Sequence, residues 1–196
     1  MKEALYKAIK DRFGYSLPDD YRSLESRGLL SLSAPAHAST FSTPGSYLWL
    51  PDMEWYSLHD IAEFEFESSH LPGFVPFAFT GGGDYWCWQP EYTDERGTRV
   101  VCCYRDYELA NVYAPNFATG LYRQALAACQ ETELDVPAFL RRWASDLADI
   151  FPVRWCQRLR DLAERPDRSI LASTYERADL ADDDLDSEIR WRESTT

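Results

Sequence analysis

The stretch of this chain that most suggests chemistry is Gly81–Asp84, three consecutive glycines followed by an aspartate. Glycine-rich loops can cradle a phosphate with backbone N–H groups, but they need a helix N-terminus directly after them and usually a lysine. Here the aromatic run Tyr85–Trp88 follows, and no lysine occurs after Lys10. Glycine readily supplies the positive φ of a tight turn. We therefore predict a hairpin turn between two strands and no nucleotide site.

A second candidate is the run of alternating glutamates, Glu63, Glu65 and Glu67, that precedes His70. Paired carboxylates can serve acid–base catalysis, and carboxylates beside a histidine could bind a divalent cation weakly. The competing interpretation is a solvated helix end and loop. Nothing in the sequence marks a cleft there, and the three histidines do not form the H-E-x-x-H pattern of zinc enzymes. We predict no catalytic residue, no metal and no cofactor.

The third candidate is cysteine chemistry, for which the chain has five residues: Cys87, Cys102, Cys103, Cys129 and Cys156. An odd number argues against a disulfide framework, and no C-x-x-C pair is present. A cysteine nucleophile needs a histidine in reach and electropositive surroundings, whereas this chain is acidic. We predict reduced cysteines that pack as small apolar groups.

The elements that must position these residues begin with two helices. Residues 2–13 carry apolar side chains at helical spacing, and Pro18 suits the first turn of a second helix. Residues 31–46 are rich in Ser, Ala, Thr and Pro and indicate a loop. After this loop we predict a short strand over Tyr47–Leu50 and a helix from Leu58 to about Phe66, with Ser57 as its N-cap.

The middle of the chain predicts a sheet. The strands on either side of Gly81–Gly83 form a hairpin, and a further strand over Thr98–Tyr104 is apolar on both faces, which is typical of an interior strand. With Tyr47–Leu50 this makes at least four antiparallel or mixed strands packed by helices, an α+β fold. Trp86 and Trp88 share one face of their strand; they either pack in the core or line a recognition groove.

The last third of the sequence predicts a C-terminal helical extension. Apolar residues recur at helical spacing after Pro115, Asp135 is a start signal for a second helix, and Pro152 opens a third. Residues 176–196 hold eight acids and three arginines. A run such as Ala181–Asp184 within them is typical of a solvated segment.

The net charge is −13, and its distribution is uneven. Between Arg27 and Arg96 there is no lysine or arginine, while the same 68 residues hold ten acids. Nucleic acid and anionic lipid bind basic patches, so neither is an expected partner. An acidic surface attracts a basic protein, although it also simply keeps a protein dissolved. With no membrane-length apolar run and no signal-peptide pattern at the N-terminus, we expect a cytoplasmic protein.

Several of these segments together resemble the SUKH superfamily, the Smi/Knr-type immunity protein domain. They are Leu17–Arg22, Tyr47–Leu50, Ser57–Ile61 and Leu71–Pro90, which carries the prolines, glycines, aspartate and aromatic strand in the family's order. The resemblance covers about residues 1–130, so residues 131–196 are predicted to be a helical extension with an acidic tail, belonging either to the same core or to a separate one. It implies a non-enzymatic bacterial immunity protein that binds and neutralises a cognate toxin, often a nuclease.

On this hypothesis an acidic surface with an aromatic centre binds a basic toxin. The predicted partner-binding residues are Glu54, Trp55, Tyr56, Asp60, Glu63, Glu65, Glu67, Asp84 and Glu91, with Trp55 and Tyr56 as apolar anchors. Two alternatives remain open at this point. One is an intracellular scaffold or regulatory module of the same superfamily. The other is an enzyme, which would need a deep pocket with convergent polar groups.

Overall fold

The computed structural model of the protein describes residues 2–31, 47–50, 53–66, 70–130, 134–165 and 187–192. The chain divides into two compact units, each made from separate stretches of sequence. The first, called the sheet unit, comprises Met1–Arg22, Asp52–Phe117 and Asp182–Thr196. The second, called the helical unit, comprises Ser23–Pro51 and Ala118–Ala181.

Six helices and six strands are formed by the described residues. The helices are α1 (Lys2–Phe13), α2 (Asp19–Ser26), α3 (Leu58–Glu63), α4 (Phe117–Ala128), α5 (Val136–Asp146) and α6 (Val153–Glu164). The strands are β1 (Glu54–Trp55), β2 (Val75–Phe79), β3 (Tyr85–Asp94), β4 (Gly97–Cys103), β5 (Leu109–Ala114) and β6 (Glu188–Arg190).

All six strands lie in the sheet unit and form one sheet in the order β1-β2-β3-β4-β5-β6. Every neighbouring pair is antiparallel. The predicted α+β fold, with its sheet of at least four strands and its helices near the C-terminus, is confirmed. The predicted glycine turn is also confirmed: it joins β2 to β3, and Gly83 has the positive φ of 89° that favours glycine.

Both faces of the sheet are covered, which explains the apolar residues on both sides of β3 and β4. On one face Trp88 is fully buried, with Phe77 at 4.5 Å and Tyr21 at 5.0 Å between ring centroids. The opposite face holds a second cluster, formed by Phe74, Cys87, Val101, Cys103, Ala110, Val112 and Trp191. Trp86 is only 5% exposed. Trp86 and Trp88 therefore both pack in the core and do not line a recognition groove, which was the other possibility that the sequence left open.

The helical unit is held by α5 and α6, which pack against each other. Asp135 caps α5 as predicted, because its side chain accepts a hydrogen bond from Ala138 N at 3.1 Å. Inside the unit the side chain of Arg142 is fully buried and donates to Asp146 at 3.1 Å and to the carbonyl of Tyr47 at 2.7 Å. A buried ion pair thus fastens the segment around Tyr47 to α5.

Three predictions about elements need correction. Tyr47–Leu50 is not a strand of the sheet and belongs to the helical unit, where Leu48 N donates to the carbonyl of Leu29. The helix α3 ends at Glu63 and not near Phe66. Three strands, β1, β5 and β6, were not predicted. The predicted division at residue 130 stays a prediction, and the acidic run Ala181–Asp184 lies outside the described residues.

The five cysteines are free and buried, which agrees with the packing role predicted for them. Burial raises the pKa of the Cys103 thiol well above its usual range, and it raises that of Cys129 to about 12. A thiol that is not ionised near neutral pH is a poor nucleophile. All five cysteines are therefore part of the core, and Cys103 and Cys129 in particular are unsuited to act as nucleophiles.

Candidate protein-binding surface

Four of the predicted acidic residues lie at one end of the sheet, on β1, on α3 and on the segment that follows it. Glu54, Asp60, Glu63 and Glu65 are all exposed. Glu54 is paired with Phe79, the last residue of β2. We call these four residues, together with Asp84, the acidic face.

A row of aromatic side chains holds the acidic segment against the sheet. Tyr56 contacts Phe79 at 4.9 Å and Phe64 at 5.4 Å, and Phe64 contacts Phe66 at 4.7 Å and Tyr85 at 5.4 Å between ring centroids. Phe64 has an extended backbone (φ −58°, ψ 128°), so neighbouring side chains alternate in direction. The phenylalanines are half-buried while Glu63 and Glu65 stay exposed. The alternation of acid and aromatic in the sequence therefore becomes a row of carboxylates on an apolar support.

Asp60 is fixed by the start of α3. Ser57 Oγ accepts from Asp60 N at 3.1 Å, and the Asp60 carboxylate accepts from Ser57 N at 3.0 Å, which is the reciprocal capping box. Asp60 also lies near Tyr56. Burial raises the pKa of the Tyr56 phenol, and the charges of Tyr85, Cys87 and Asp60 act in the same direction. Tyr56 therefore stays neutral, as a half-buried phenol beside a carboxylate.

Asp84 closes the glycine turn and joins it to the next loop. Its backbone N donates to Thr80 Oγ1 at 3.0 Å, and its carboxylate accepts from Arg105 N at 2.9 Å. The Arg105 side chain lies over Gly83, where an added Cβ would come within 3.0 Å of Arg105 Cδ. Asp84 thus has a clear structural role, and it places the β2–β3 turn beside the loop after β4.

The charges of the acidic face are little neutralised within the part of the chain that the structure describes. Glu63 has His59 at 3.5 Å, and this contact is an ion pair only when the histidine is protonated. Two arginines border the face: Arg12 donates to the carbonyl of Ala62 at 3.0 Å, and Arg105 lies at the glycine turn. The ion pairs of the sheet unit that involve lysine or arginine lie in α1 and α2, at the β3–β4 turn and at β6.

Two predicted site residues are not placed at the surface with the others, and a third lies outside the described residues. Trp55 is only 8% exposed, and its ring stacks on Phe77 in the core. Glu91 lies on the far part of β3, about 20 Å along the strand from Tyr85 at about 3.3 Å per residue. There it borders a cavity of about 270 Å³ together with Arg96 and Arg99. Glu67 lies outside the described residues. Of the two predicted anchors, only Tyr56 is partly exposed.

Two aromatic residues that sequence reasoning missed lie next to the acidic face. Tyr104 and Tyr107, in the loop between β4 and β5, are 37% and 69% exposed. Tyr104 follows Cys103, which is paired with Tyr85, so the loop adjoins the glycine turn. The signal in the sequence is two tyrosines in a short polar segment, YRDYE, directly after an apolar strand.

Three further features of the described residues bear on other kinds of site. Within residues 2–31, 47–50, 53–66, 70–130, 134–165 and 187–192, no group of three or more His, Cys, Asp or Glu side chains could hold a metal ion. A cavity of about 490 Å³ opens at the end of α6 and contains none of the residues of the acidic face. It is lined by Arg158, Asp161, Leu162, Glu164 and Arg165. None of the described helices has the length and apolar character needed to cross a membrane.

The fold defines this chain as an α+β protein built on one antiparallel meander. Residues 2–123, more than half of the chain, match the SMI1 / KNR4 family (SUKH-1), and the chain therefore belongs to that family. SUKH domains are known in immunity proteins and are generally non-enzymatic. No curated protein and no solved structure matches the chain.

Proposed function

We propose that this chain is a non-enzymatic immunity protein that neutralises a cognate basic toxin by binding it through the acidic face. Family membership supports the class of protein, because SUKH domains are known in immunity proteins. The observation that carries the choice of surface is the exposed row of Glu54, Glu63 and Glu65 on an aromatic support, in a stretch of sequence that contains no lysine or arginine.

The charge pattern fits capture of a cationic protein. Carboxylates gathered on one surface raise the local concentration of a basic partner and speed its association. A toxin that acts on nucleic acid needs a basic groove to hold its substrate. An acidic protein bound over that groove would exclude the substrate without any chemical step. The half-buried rings of Tyr56 and Phe64 beneath the carboxylates supply apolar area of the kind that is buried at the centre of interfaces.

The test uses charge reversal with a matched control. The proposal expects a large secreted protein to be encoded directly upstream of this chain's gene, and the C-terminal domain of that protein is the binding partner to be used. The test variant is E63K/E65K, and the control is E91K/E95K, which makes the same change in net charge at the other end of β3. We expect the test variant to lower the association rate constant by a factor of about 10–100 and to remove most of its salt dependence. The control variant E91K/E95K should retain most of the wild-type association rate constant.

Each outcome bears on the proposal. Equal losses in the two variants would mean that only net charge matters and that the acidic face is not the site. No binding of the wild-type chain to the upstream domain, or no rescue of growth when the two are expressed together, would refute the immunity function. Turnover of that domain by the chain would refute the non-enzymatic mechanism.

A further inference from the structure

Tyr104 and Tyr107 form the most exposed aromatic contact of the described sheet unit. Tyr107 is 69% exposed and Tyr104 37%, and their rings meet edge to face at 6.2 Å and 81°. Burying large side chains normally stabilises a fold, and Tyr107 in particular leaves most of its surface exposed. Tyrosine is among the residues enriched in the energetic centres of protein interfaces.

The loop that carries these rings is held at several backbone positions. Tyr107 N donates to the Tyr104 carbonyl at 3.3 Å, and the Tyr107 carbonyl accepts from Trp191 Nε1 at 2.9 Å. The next carbonyl, of Glu108, accepts from Trp191 N at 3.0 Å, while Arg105 N donates to Asp84 at 2.9 Å. Trp191 is fully buried. The exposed rings therefore stand on a fixed turn, and a partner that covers them does not have to order the loop.

The strand pairing places this loop at the same end of the sheet as the acidic face. Glu54 pairs with Phe79, Phe79 with Tyr85, and Tyr85 with Cys103. Adjacent strands are about 4.8 Å apart, so three steps separate Glu54 from Cys103 by about 15 Å. One standard interface buries about 800 Å² on each partner, which is enough to cover both features together.

We propose that Tyr104 and Tyr107 are the aromatic anchor of the surface that binds the basic partner, with the carboxylates of the acidic face as its rim. This inference rests on the proposed function. Asp84, Asp106 and Glu108 supply acidic groups at the loop. Three arginines lie there too: Arg105, Arg190, which is 3.9 Å from Glu108, and Arg192, whose N donates to the Glu108 carbonyl at 3.3 Å. The excess of negative charge on this surface therefore comes from the acidic face. The faces of tyrosine rings attract guanidinium and ammonium groups, so an arginine- or lysine-rich protein surface matches both parts of the site.

The two parts of this surface have different kinetic roles. Carboxylates on the rim act at a distance and set the association rate, whereas a packed aromatic centre sets the dissociation rate. Exposed tyrosines can also stack on nucleobases, but single-stranded nucleic acid requires a positively charged groove as well. The acidic residues nearby oppose that partner.

The experiment measures both rate constants for the same upstream-encoded C-terminal domain. The variants are Y104A, Y107A and the double variant, and the control is Y92A, which removes another exposed tyrosine (47%) near the opposite end of the sheet. We expect the dissociation rate constant to rise at least tenfold in the double variant with little change in the association rate constant. Y92A should bind as the wild type does. A thermal melt checks that each variant is folded.

The results separate this inference from the proposed function. If the double variant dissociates at the wild-type rate while E63K/E65K associates slowly, the anchor is refuted and the acidic face stands. If the wild-type chain does not bind the domain, the proposed function fails and the anchor with it. Binding of a single-stranded oligonucleotide that is lost in the double variant would also overturn the inference, because it would assign the tyrosines to another kind of partner.

Discussion

The two units of this protein differ most in how they use charge. Of the chain's 33 acidic residues the sheet unit holds twenty-two, against ten of its 20 basic residues. The helical unit holds eleven acidic and ten basic residues. Ion pairs are present in both units, but the described residues of the helical unit include a buried one, Arg142 with Asp146, beside two exposed ones, Arg27 with Asp149 at 3.0 Å and Arg141 with Glu164 at 3.4 Å. The described pairs of the sheet unit are all exposed.

The comparison distinguishes two kinds of charged residue: buried ones that stabilise the fold, and exposed ones that are available to a binding partner. The buried pair of Arg142 and Asp146 is part of the architecture of the helical unit, because neither group can meet water. Glu54, Glu63 and Glu65 are exposed and have no comparable structural role. The imbalance of the sheet unit adds self-repulsion, and the proposed binding of a cationic partner would account for it. Three experiments test this comparison, from the largest expected effect to the smallest.

Arg142→Ala should be severely destabilising. It leaves the Asp146 carboxylate buried without its cation and removes the hydrogen bond to the Tyr47 carbonyl at 2.7 Å. Removing one partner of a buried ion pair costs about 3–5 kcal/mol. The measurement is the free energy of unfolding in urea. Arg141→Ala is the control, since its side chain is 53% exposed and exposed pairs contribute about 0–1 kcal/mol. Equal losses in the two variants would refute the distinction between the two kinds of charge.

Alkaline pH should destabilise the helical unit through Cys129, whose pKa burial raises from 9.0 to about 12. The folded state retains a proton that the unfolded state loses. The protonated thiol therefore makes its full contribution to the free energy of unfolding below pH 9. That contribution falls as the pH rises toward 12, by at most about 1.4 kcal/mol per pH unit. We measure the free energy of unfolding in urea from pH 8 to 11. It should fall less steeply with pH in Cys129→Ala than in the wild type.

The control for this titration lies in the sheet unit. Burial raises the pKa of Tyr15 from 10.0 to about 12. Tyr15→Phe should therefore change the pH dependence of the free energy of unfolding only above pH 10. If Cys129→Ala leaves the slope between pH 9 and 10 unchanged, the thiol does not control alkaline stability.

Charge reversal on the acidic face should have the smallest effect on stability. E63K/E65K changes the net charge from −13 to −9 and relieves repulsion, and exposed substitutions usually stay within about 0.5 kcal/mol. The free energy of unfolding of this variant in urea should match that of the wild type within that limit, even though its association with the partner is expected to be slower. A loss of 2 kcal/mol or more would mean that these carboxylates hold the fold, contrary to the comparison.

Local sequence signals predicted the local structure well. Ser57 and Asp135 are helix caps because their side chains bond to backbone N–H groups within three residues. The glycine turn is equally local. The strands β1 and β6 were missed because two or three residues have no period to detect, and β6 pairs with β5, which is distant in sequence. The strand β5 pairs with the neighbouring β4, and its buried residues Ala110, Val112 and Ala114 alternate along it, a signal that the sequence interpretation did not use. Tyr47–Leu50 has a strand-like composition, but the buried Arg142 holds its first carbonyl.

The sequence predicted where the acidic residues of the candidate site are concentrated, but it predicted less well which of the site residues lie together at the surface. Alternation of Glu and Phe indicated carboxylates on an apolar support, and the structure has that arrangement at Glu63 and Glu65. Burial of Trp55 and the distance of Glu91 follow from strand register, which composition does not reveal. Tyr107 was missed because its fixed position depends on Trp191, which comes after a strongly acidic stretch.

The pairing of β5 with β6 also constrains the order of events during synthesis. The sheet unit begins with α1, yet its last strand follows the whole of the helical unit in the chain. Contacts between such distant residues slow folding, because a long loop must close before they form. The helical unit can be completed on the ribosome first. The turn that presents Tyr107 acquires its bond to Trp191 only later, so the proposed binding surface would be completed after most of the polypeptide has been made.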